Sequence, residues 1–288
     1  FKGKSINKYN FRGDVMKFVK MHGNGNDFIV IEDLNNKLKG KESSLAKKVC
    51  HRRYGIGADG ILLVRRQNET IEMVIINSDG SYAAMCGNGI RCFAKYVYDN
   101  SLVKDKEFDV ITGAGINKIS LTVDEDNKAF EIKVNMGFPE FKPELIPCTV
   151  KGENVIGKVI KANNKEYKIN SLLMNIPHTV IFEEDETLIS EGNEIEHHEI
   201  FPGRTNVNFC KVLNENTIRV RTWERGAGAT LACGTGNCAS AVIANKLGFV
   251  GNKVNIIVPG GKLKVYIEND GVYMIGNAEY ICKGVYKF

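Results

Sequence analysis

Asn77-Ser-Asp-Gly-Ser-Tyr-Ala-Ala-Met-Cys86-Gly-Asn-Gly89 can be laid without a gap over Glu224-Arg-Gly-Ala-Gly-Ala-Thr-Leu-Ala-Cys233-Gly-Thr-Gly236. The two cysteines, at 86 and 233, stand 147 residues apart, close to half of a 288-residue chain. In both places a strand-like run leads into a polar turn, then Cys-Gly-x-Gly, then a helical pattern. One Cys-Gly-x-Gly says little. Two at a constant offset in matching contexts predict two homologous domains. Behind the first, Ile90, Phe93, Ala94, Val97 and Tyr98 fall on one helical face. Behind the second, Cys238, Ala241, Val242 and Asn245 make a weaker stripe, stopped by Gly248.

Outward from the two motifs, most of the chain reads as short β-branched runs bounded by Gly, Asn, Asp or Pro. These runs are Phe28–Ile31, Ile61–Val64, Met73–Ile76, Ile119–Val123, Phe130–Val134, Val180–Phe182, Ile218–Arg221, Val254–Val258 and Leu263–Ile267. The polar stretches Lys151–Lys168 and Glu183–His198 are expected to be surface excursions or peripheral helices. Met16-Lys17-Phe18 reads as a natural start, so residues 1–15 are expected to be a leader or tag outside the fold. An N-terminal domain is expected over 16–133, completed by 278–288, with a C-terminal domain over 134–277.

Composition narrows the classes of function. Apolar residues make up 43% and charged residues 25%, ordinary for a globular protein. No apolar run approaches the ~18 residues of a spanning helix, so no membrane partner is expected. The net charge is +5, of which the opening 1–15 carries +3. The remainder offers no clustered basic face for nucleic acid. Without an apolar secretory core in that opening, a cytoplasmic location is expected. The eight cysteines then read as reduced thiols rather than a disulfide framework. Neither Cys86-x5-Cys92 nor Cys233-x4-Cys238 has zinc-ribbon spacing, so no metal is expected.

A thiol at a helix start sits among backbone N–H groups that have no partner in the helix. The positive end of the helix favours thiolate, and such sites depress cysteine pKa values. The adjoining N–H groups can also hold a carboxylate. Two such thiols, one per domain across a cleft, suit inversion at a carbon: one removes a proton and the other delivers one to the opposite face. No cofactor pattern accompanies them. The carbanion would be stabilised by oriented N–H dipoles in a water-excluded pocket. Cys50, Cys92, Cys148, Cys210, Cys238 and Cys282 read as packing, and His197-His198 as surface.

With these motifs in view, the chain resembles the diaminopimelate epimerase family. The resemblance rests on Met16-Lys-Phe-Val-Lys-Met-His-Gly-Asn-Gly-Asn-Asp-Phe28, Asn77-Ser-Asp-Gly-Ser81, Cys86-Gly-Asn-Gly-Ile-Arg-Cys92, Val134-Asn-Met-Gly137, Arg204-Thr-Asn-Val-Asn208, Glu224-Arg-Gly-Ala-Gly228 and Cys233-Gly-Thr-Gly236, in that order. It implies an α/β (α+β) fold of two similar domains related by a pseudo-twofold, each a strand-rich, barrel-like sheet around a central helix. It also implies cofactor-independent interconversion of LL- and meso-2,6-diaminopimelate, a step toward lysine and peptidoglycan precursors, and a homodimer as the working unit. By position, Cys86 and Cys233 would be the acid/base pair, assisted by His178 and Glu224, with their pairing open. Gly87, Asn88, Gly234 and Thr235 would hold the reacting carboxylate. Asn26, Asn77, Asn206, Glu224 and Arg225 would bind the substrate's two amino-acid ends.

Two departures from the family pattern bear on specificity. Gly60 stands where some members carry a substrate-binding glutamine. Ile176 fills the slot of a binding asparagine, with Asn175 one place earlier. A related two-cysteine amino-acid racemase is therefore the alternative enzyme, and a small-ligand binding protein on the same scaffold the non-catalytic one.

Overall fold

Every β-branched run read from the sequence lies within a strand of the computed structural model, which describes residues 15–183 and 188–287. In chain order the elements are β1 (Val15–Gly23), β2 (Asn26–Glu32), α1 (Glu42–Val49), β3 (Gly60–Gln67), β4 (Thr70–Asn77), β5 (Tyr82–Ala83), α2 (Gly87–Asp99), β6 (Glu107–Thr112), β7 (Gly115–Val123) and β8 (Ala129–Asn135). They continue with β9 (Val155–Ala162), β10 (Lys165–Met174), β11 (Ile176–Phe182), α3 (Gly192–Glu196), β12 (Asn206–Asn214), β13 (Thr217–Glu224), β14 (Gly228–Thr230), α4 (Gly234–Lys246), β15 (Lys253–Val258), β16 (Gly261–Glu268), β17 (Gly271–Gly276) and β18 (Glu279–Lys287). β1 begins one residue before the expected start of the fold. The rest of the expected leader, residues 1–14, lies outside the described residues.

Strand pairing runs through the same sequence twice. In the first half β1 pairs antiparallel with β2, β2 parallel with β3, β3 antiparallel with β4, and β4 parallel with β6. In the second half β10–β11, β11–β12, β12–β13 and β13–β15 repeat those four relations in order. β18 pairs with β1 as β9 pairs with β10, so the chain's last strand finishes the first half. A β8–β17 pairing joins the two sets.

The central helices carry the inner core. α2 touches β1 to β4 and β8, and α4 touches β10 to β13 and β15 to β17. Phe93, Val97, Ile243 and Ala239 are fully buried there, in one apolar cluster that runs through both halves. The opposite sheet faces have their own clusters. Leu45, Ala46 and Val49 of α1 cover Ile29, Ile61 and Ile76, and Ile195 of α3 joins Ile169, Val207 and Phe209.

One expectation fails. Lys151–Lys168 is not a helix or loose excursion: most of it forms the hairpin β9–β10, closed at Asn163-Asn164 with φ of 50° and 57°. β9 is an outer strand that buries Val155, Ile160 and Ala162 and leaves Lys158, Val159 and Lys161 exposed, which accounts for its polarity. Glu183–His198 does carry the short helix α3, with residues 184–187 outside those described.

Candidate active site

Both motif cysteines are helix N-cap residues in extended backbone conformation, Cys86 ahead of α2 and Cys233 ahead of α4. Each helix runs 13 residues from the glycine after its cysteine. The two helix starts meet nose to nose. A methyl group placed on Gly87 would lie 3.3 Å from the Gly234 Cα, and one on Gly234 would lie 3.2 Å from the Gly87 Cα. Only hydrogens fit between those backbones. Asn88 Nδ2 crosses the junction and donates to the carbonyl of Ala232, next to Cys233, at 3.0 Å. The two sulfurs therefore sit at one junction, close enough for Cys86 to raise the pKa of Cys233.

Cys86 is half-buried. Its sulfur accepts from the Gly89 N–H at 3.4 Å and lies 3.6 Å from Asn26 Oδ1. That amide is oriented from behind: Asn26 Nδ2 donates to Asp59 at 2.7 Å, and Asp59 is itself held by Arg52 at 2.7 Å. Asn26 thus offers its carbonyl oxygen to the thiol. Burial pushes the Cys86 pKa up, the N–H groups of Gly89 and Asn88 pull it down, Glu224 raises it and Arg91 lowers it; the net direction is up. The depressed thiol expected from the helix start is not realised, because loss of hydration outweighs the N–H dipoles.

Cys233 is buried, and burial with the nearby Glu224 carboxylate pushes its thiol well up. Two polar groups stand beside it. Thr235 Oγ1 lies 3.5 Å from the sulfur, and the Glu224 carboxylate is near enough for its charge to act on the thiol. Glu224 ends β13, is raised by burial, and accepts the Thr230 hydroxyl at 2.7 Å.

His178 on β11 is fully buried and joins the same side. Asn208 Nδ2 donates to its Nδ1 at 3.2 Å, and Asn208 Oδ1 accepts from Thr222 at 3.0 Å, which fixes the amide. Nδ1 is therefore an acceptor, and Nε2–H donates to Thr235 Oγ1 at 2.9 Å. Burial, helped by Arg225, drops the imidazole pKa to about 3, so the ring is neutral. The Thr235 hydroxyl proton is then free for the Cys233 sulfur. His178 thus reaches Cys233 through Thr235, and Glu224 acts on it through its nearby charge.

The remaining expected residues divide. Asn206 is buried, donating one N–H to the Pro177 carbonyl at 2.8 Å and accepting from the Arg225 N–H at 2.9 Å. It sets the Glu224–Arg225 turn. Arg225 is exposed, with one N–H on the Gly203 carbonyl at 2.8 Å. Asn77 is half-buried and donates to Ser81 at 3.0 Å. Gly60 has no room for any side chain, since a Cβ there would lie 2.7 Å from the Ile76 carbonyl. Asn175 and Ile176 form an exposed hairpin turn, with Asn175 at φ 63°.

The sequence reading missed three supports. Asp59 orients Asn26. Asn208 was noted only as the end of a motif. Glu196 on α3 is buried and accepts from Trp223 Nε1 at 2.8 Å and from the Gly226 N–H at 3.2 Å, bracketing the Glu224–Arg225 turn. Glu196 lies in a stretch read as peripheral, and nothing in its local pattern marks it.

A family model described as "Diaminopimelate epimerase" matches residues 18–142 and 171–281. The chain is 63% identical to the diaminopimelate epimerase of Clostridium perfringens over 274 residues, covering 95% of this chain and 100% of that protein. It is 47% identical to that of Alkaliphilus metalliredigens (94% and 97% covered) and 43% identical to that of Methanocaldococcus jannaschii (91% and 96%). Among solved structures, a hydroxyproline epimerase from Agrobacterium vitis superposes with TM-score 0.69 at 14% identity, covering 95% of this chain and 92% of that one. A PhzF-family protein of Bacillus anthracis gives 0.68 at 14%, covering 96% and 100%. Those two likenesses establish the fold.

Proposed function

The chain belongs to the diaminopimelate epimerase family, and on that premise we propose that it interconverts LL- and meso-2,6-diaminopimelate with Cys86 and Cys233 as its acid/base pair. The activity is that of an isomerase. The observation that carries the mechanism is the nose-to-nose meeting of two helix starts, each capped by a cysteine.

The reacting carbon lies between the two sulfurs. One, as thiolate, takes the α-proton; the electron pair left on carbon delocalises into the α-carboxylate as an enediolate. The other, as thiol, returns a proton to the opposite face. The first sulfur ends as thiol and the second as thiolate, so the reverse reaction uses the same groups with roles exchanged. Gly87, Asn88, Gly234 and Thr235 supply N–H groups at the two helix starts for the carboxylate and its enediolate. Glu224 and the His178–Thr235 pair help Cys233 exchange its proton. Asn26 does so for Cys86 as acceptor. Asn77, Asn206, Glu224 and Arg225 bind the substrate's amino-acid ends; Arg225 suits the distant carboxylate because a guanidinium fork matches it.

The repeated pairing supports a division at 134 into two domains, with 278–288 returning to the first. The outer edge of β18 exposes Tyr280, Ile281 and Val285, which supports a homodimer. Among the described residues no helix is long and apolar enough to cross a membrane, and a cytoplasmic location fits a biosynthetic enzyme with free thiols.

The test is α-hydrogen exchange in deuterated water, with protein purified without pyridoxal phosphate and offered diaminopimelate, lysine, histidine and proline separately. Exchange is expected for diaminopimelate and at least ~100-fold slower for the others, whose distal ends cannot satisfy the site. Preferential exchange of another amino acid would replace this reading with the related racemase.

A further inference from the structure

Arg91 is the largest fully buried side chain described, and it has no acidic partner. Among the described residues, no carboxylate comes within ion-pair distance of its guanidinium. Its partners are all neutral. Nη2 donates to Asn24 Oδ1 and, at 3.1 Å, to Asn88 Oδ1; Nη1 donates to the Gly87 carbonyl at 3.2 Å and meets the Met274 sulfur at 3.2 Å; Nε donates to the Asn277 carbonyl at 3.1 Å. The chamber is cut to its shape. A methyl group on Gly23 would lie 3.1 Å from Nη2, and one on Gly276 would lie 3.1 Å from Nε.

A guanidinium keeps its proton in proteins, so this is a standing positive charge in the interior. Buried charges are ordinarily paired. Here the chain holds the charge behind the junction where α2 and α4 meet: Gly87 and Asn88, which it grips, open α2, and Met274 touches both helix starts. The titratable groups facing this region are Cys86 and Cys92 on α2, Cys238 and Cys233 from the α4 side, and Glu224 from β13. Asp27 also acts on Cys92, and it is paired with Lys20 and Arg52, so Arg91 is the cation here that has no carboxylate partner.

We propose that Arg91 is a positioning residue whose unpaired charge stabilises anions at the helix junction, both the Cys86 thiolate and a bound carboxylate, while its hydrogen bonds hold Gly87 and Asn88 in place. The counter-charge missing from the chain is supplied when the site becomes anionic. This extends the two-cysteine reading, but its first readout needs no substrate. The rate of Cys86 alkylation by iodoacetamide, followed on the Cys86 peptide by mass spectrometry, gives that thiol's apparent pKa in the free protein.

Three variants separate charge from packing. Arg91→Lys keeps the charge and is expected to leave the thiol pKa within a few tenths of a unit. Arg91→Met removes it and is expected to raise that pKa by about one unit, with the acid limb of kcat/KM moving alike. Arg91→Met could fail to fold, so Asn24→Asp is decisive. It leaves the arginine in place and puts a carboxylate where Oδ1 now accepts, neutralising the charge while giving up one hydrogen bond to the Lys262 carbonyl. A purely structural Arg91 predicts a folded Asn24→Asp protein with an unchanged Cys86 pKa. The proposal predicts a rise of about one unit and a kcat/KM about 10-fold lower at neutral pH. An unmoved pKa in folded Asn24→Asp overturns it, whatever the amino-acid substrate proves to be.

Discussion

Alanine at Cys86 or at Cys233 is expected to abolish net epimerisation, by about 1000-fold or more, while leaving the protein folded. The size follows from what each sulfur does: without it, the proton on one face has no acceptor or donor, and general acid–base groups commonly contribute 10²–10⁴-fold. The two losses should not add, since either alone stops the inversion. Stability should change little at Cys233, whose side chain makes no cap hydrogen bond. At Cys86 the sulfur accepts from Gly89, so alanine there should cost up to about 1 kcal/mol. Serine at 86 separates the two effects. It keeps a cap acceptor, yet its hydroxyl is far too weak an acid to replace the thiol, so stability should return and activity should not. Alanine at Cys148, packed in the outer cluster of the second half, is the control and should retain activity. Steady-state rates and denaturant midpoints measured together check the set; near-normal turnover in both Cys86→Ala and Cys233→Ala would remove the mechanism.

Gly234→Ala is the second large effect. Neither Gly87 nor Gly234 is among the glycines at positive φ, so alanine carries no backbone strain there. On helix propensity alone it should stabilise by up to about 1 kcal/mol. The junction reverses that sign. The added methyl would sit 3.2 Å from the Gly87 Cα and 3.2 Å from the Met274 sulfur. Met274 can yield, but the Gly87 backbone is fixed by the start of α2 and by Arg91 on its carbonyl. The helix starts must therefore move apart by a few tenths of an ångström, and the sulfurs and carboxylate-holding N–H groups with them. A net loss of about 1–2 kcal/mol in stability and about 100-fold in kcat is expected, since displacements of this kind are costly for oriented chemistry. Gly87→Ala meets the same backbone at 3.3 Å and should behave alike. Wild-type kcat in a stably folded Gly234→Ala protein would mean that the helix starts do not set the reacting geometry.

Much of this arrangement is legible in the residues. The matched Cys-Gly-x-Gly motifs place two helices of equal length, because a cysteine N-cap followed by glycines and an apolar run has few other ways to fold. The weak stripe behind Cys233 also has a physical reason: α4 is touched by strands from many sides, so it has no polar face to sharpen the pattern. The β9–β10 hairpin was hidden by its polarity, although Asn163-Asn164, a pair suited to positive φ, marked its turn. Direction of charge was harder. A helix start argues for a low thiol pKa, but whether burial outweighs it depends on long-range packing, as at Cys233 between Glu224 and the opposite helix. The supports Asp59, Asn208 and Glu196 act from 27 to 33 residues away along the chain from the groups they hold, so no local pattern announces them. Gly60 is similar: it reads as a missing glutamine, and the structure gives the cause in the Ile76 carbonyl that leaves no room for a side chain.

The central claim is that two sulfurs serve opposite faces of one carbon. It is tested most directly by starting from pure LL-diaminopimelate in deuterated water and analysing the first few percent of reaction. If one thiol removes the proton and a different, solvent-equilibrated thiol delivers its replacement, the first-formed meso product carries deuterium at the inverted carbon while the recovered LL substrate is still largely unlabelled. Meso product that retains the original hydrogen would require a single group to carry the proton from one face to the other, and would contradict the account.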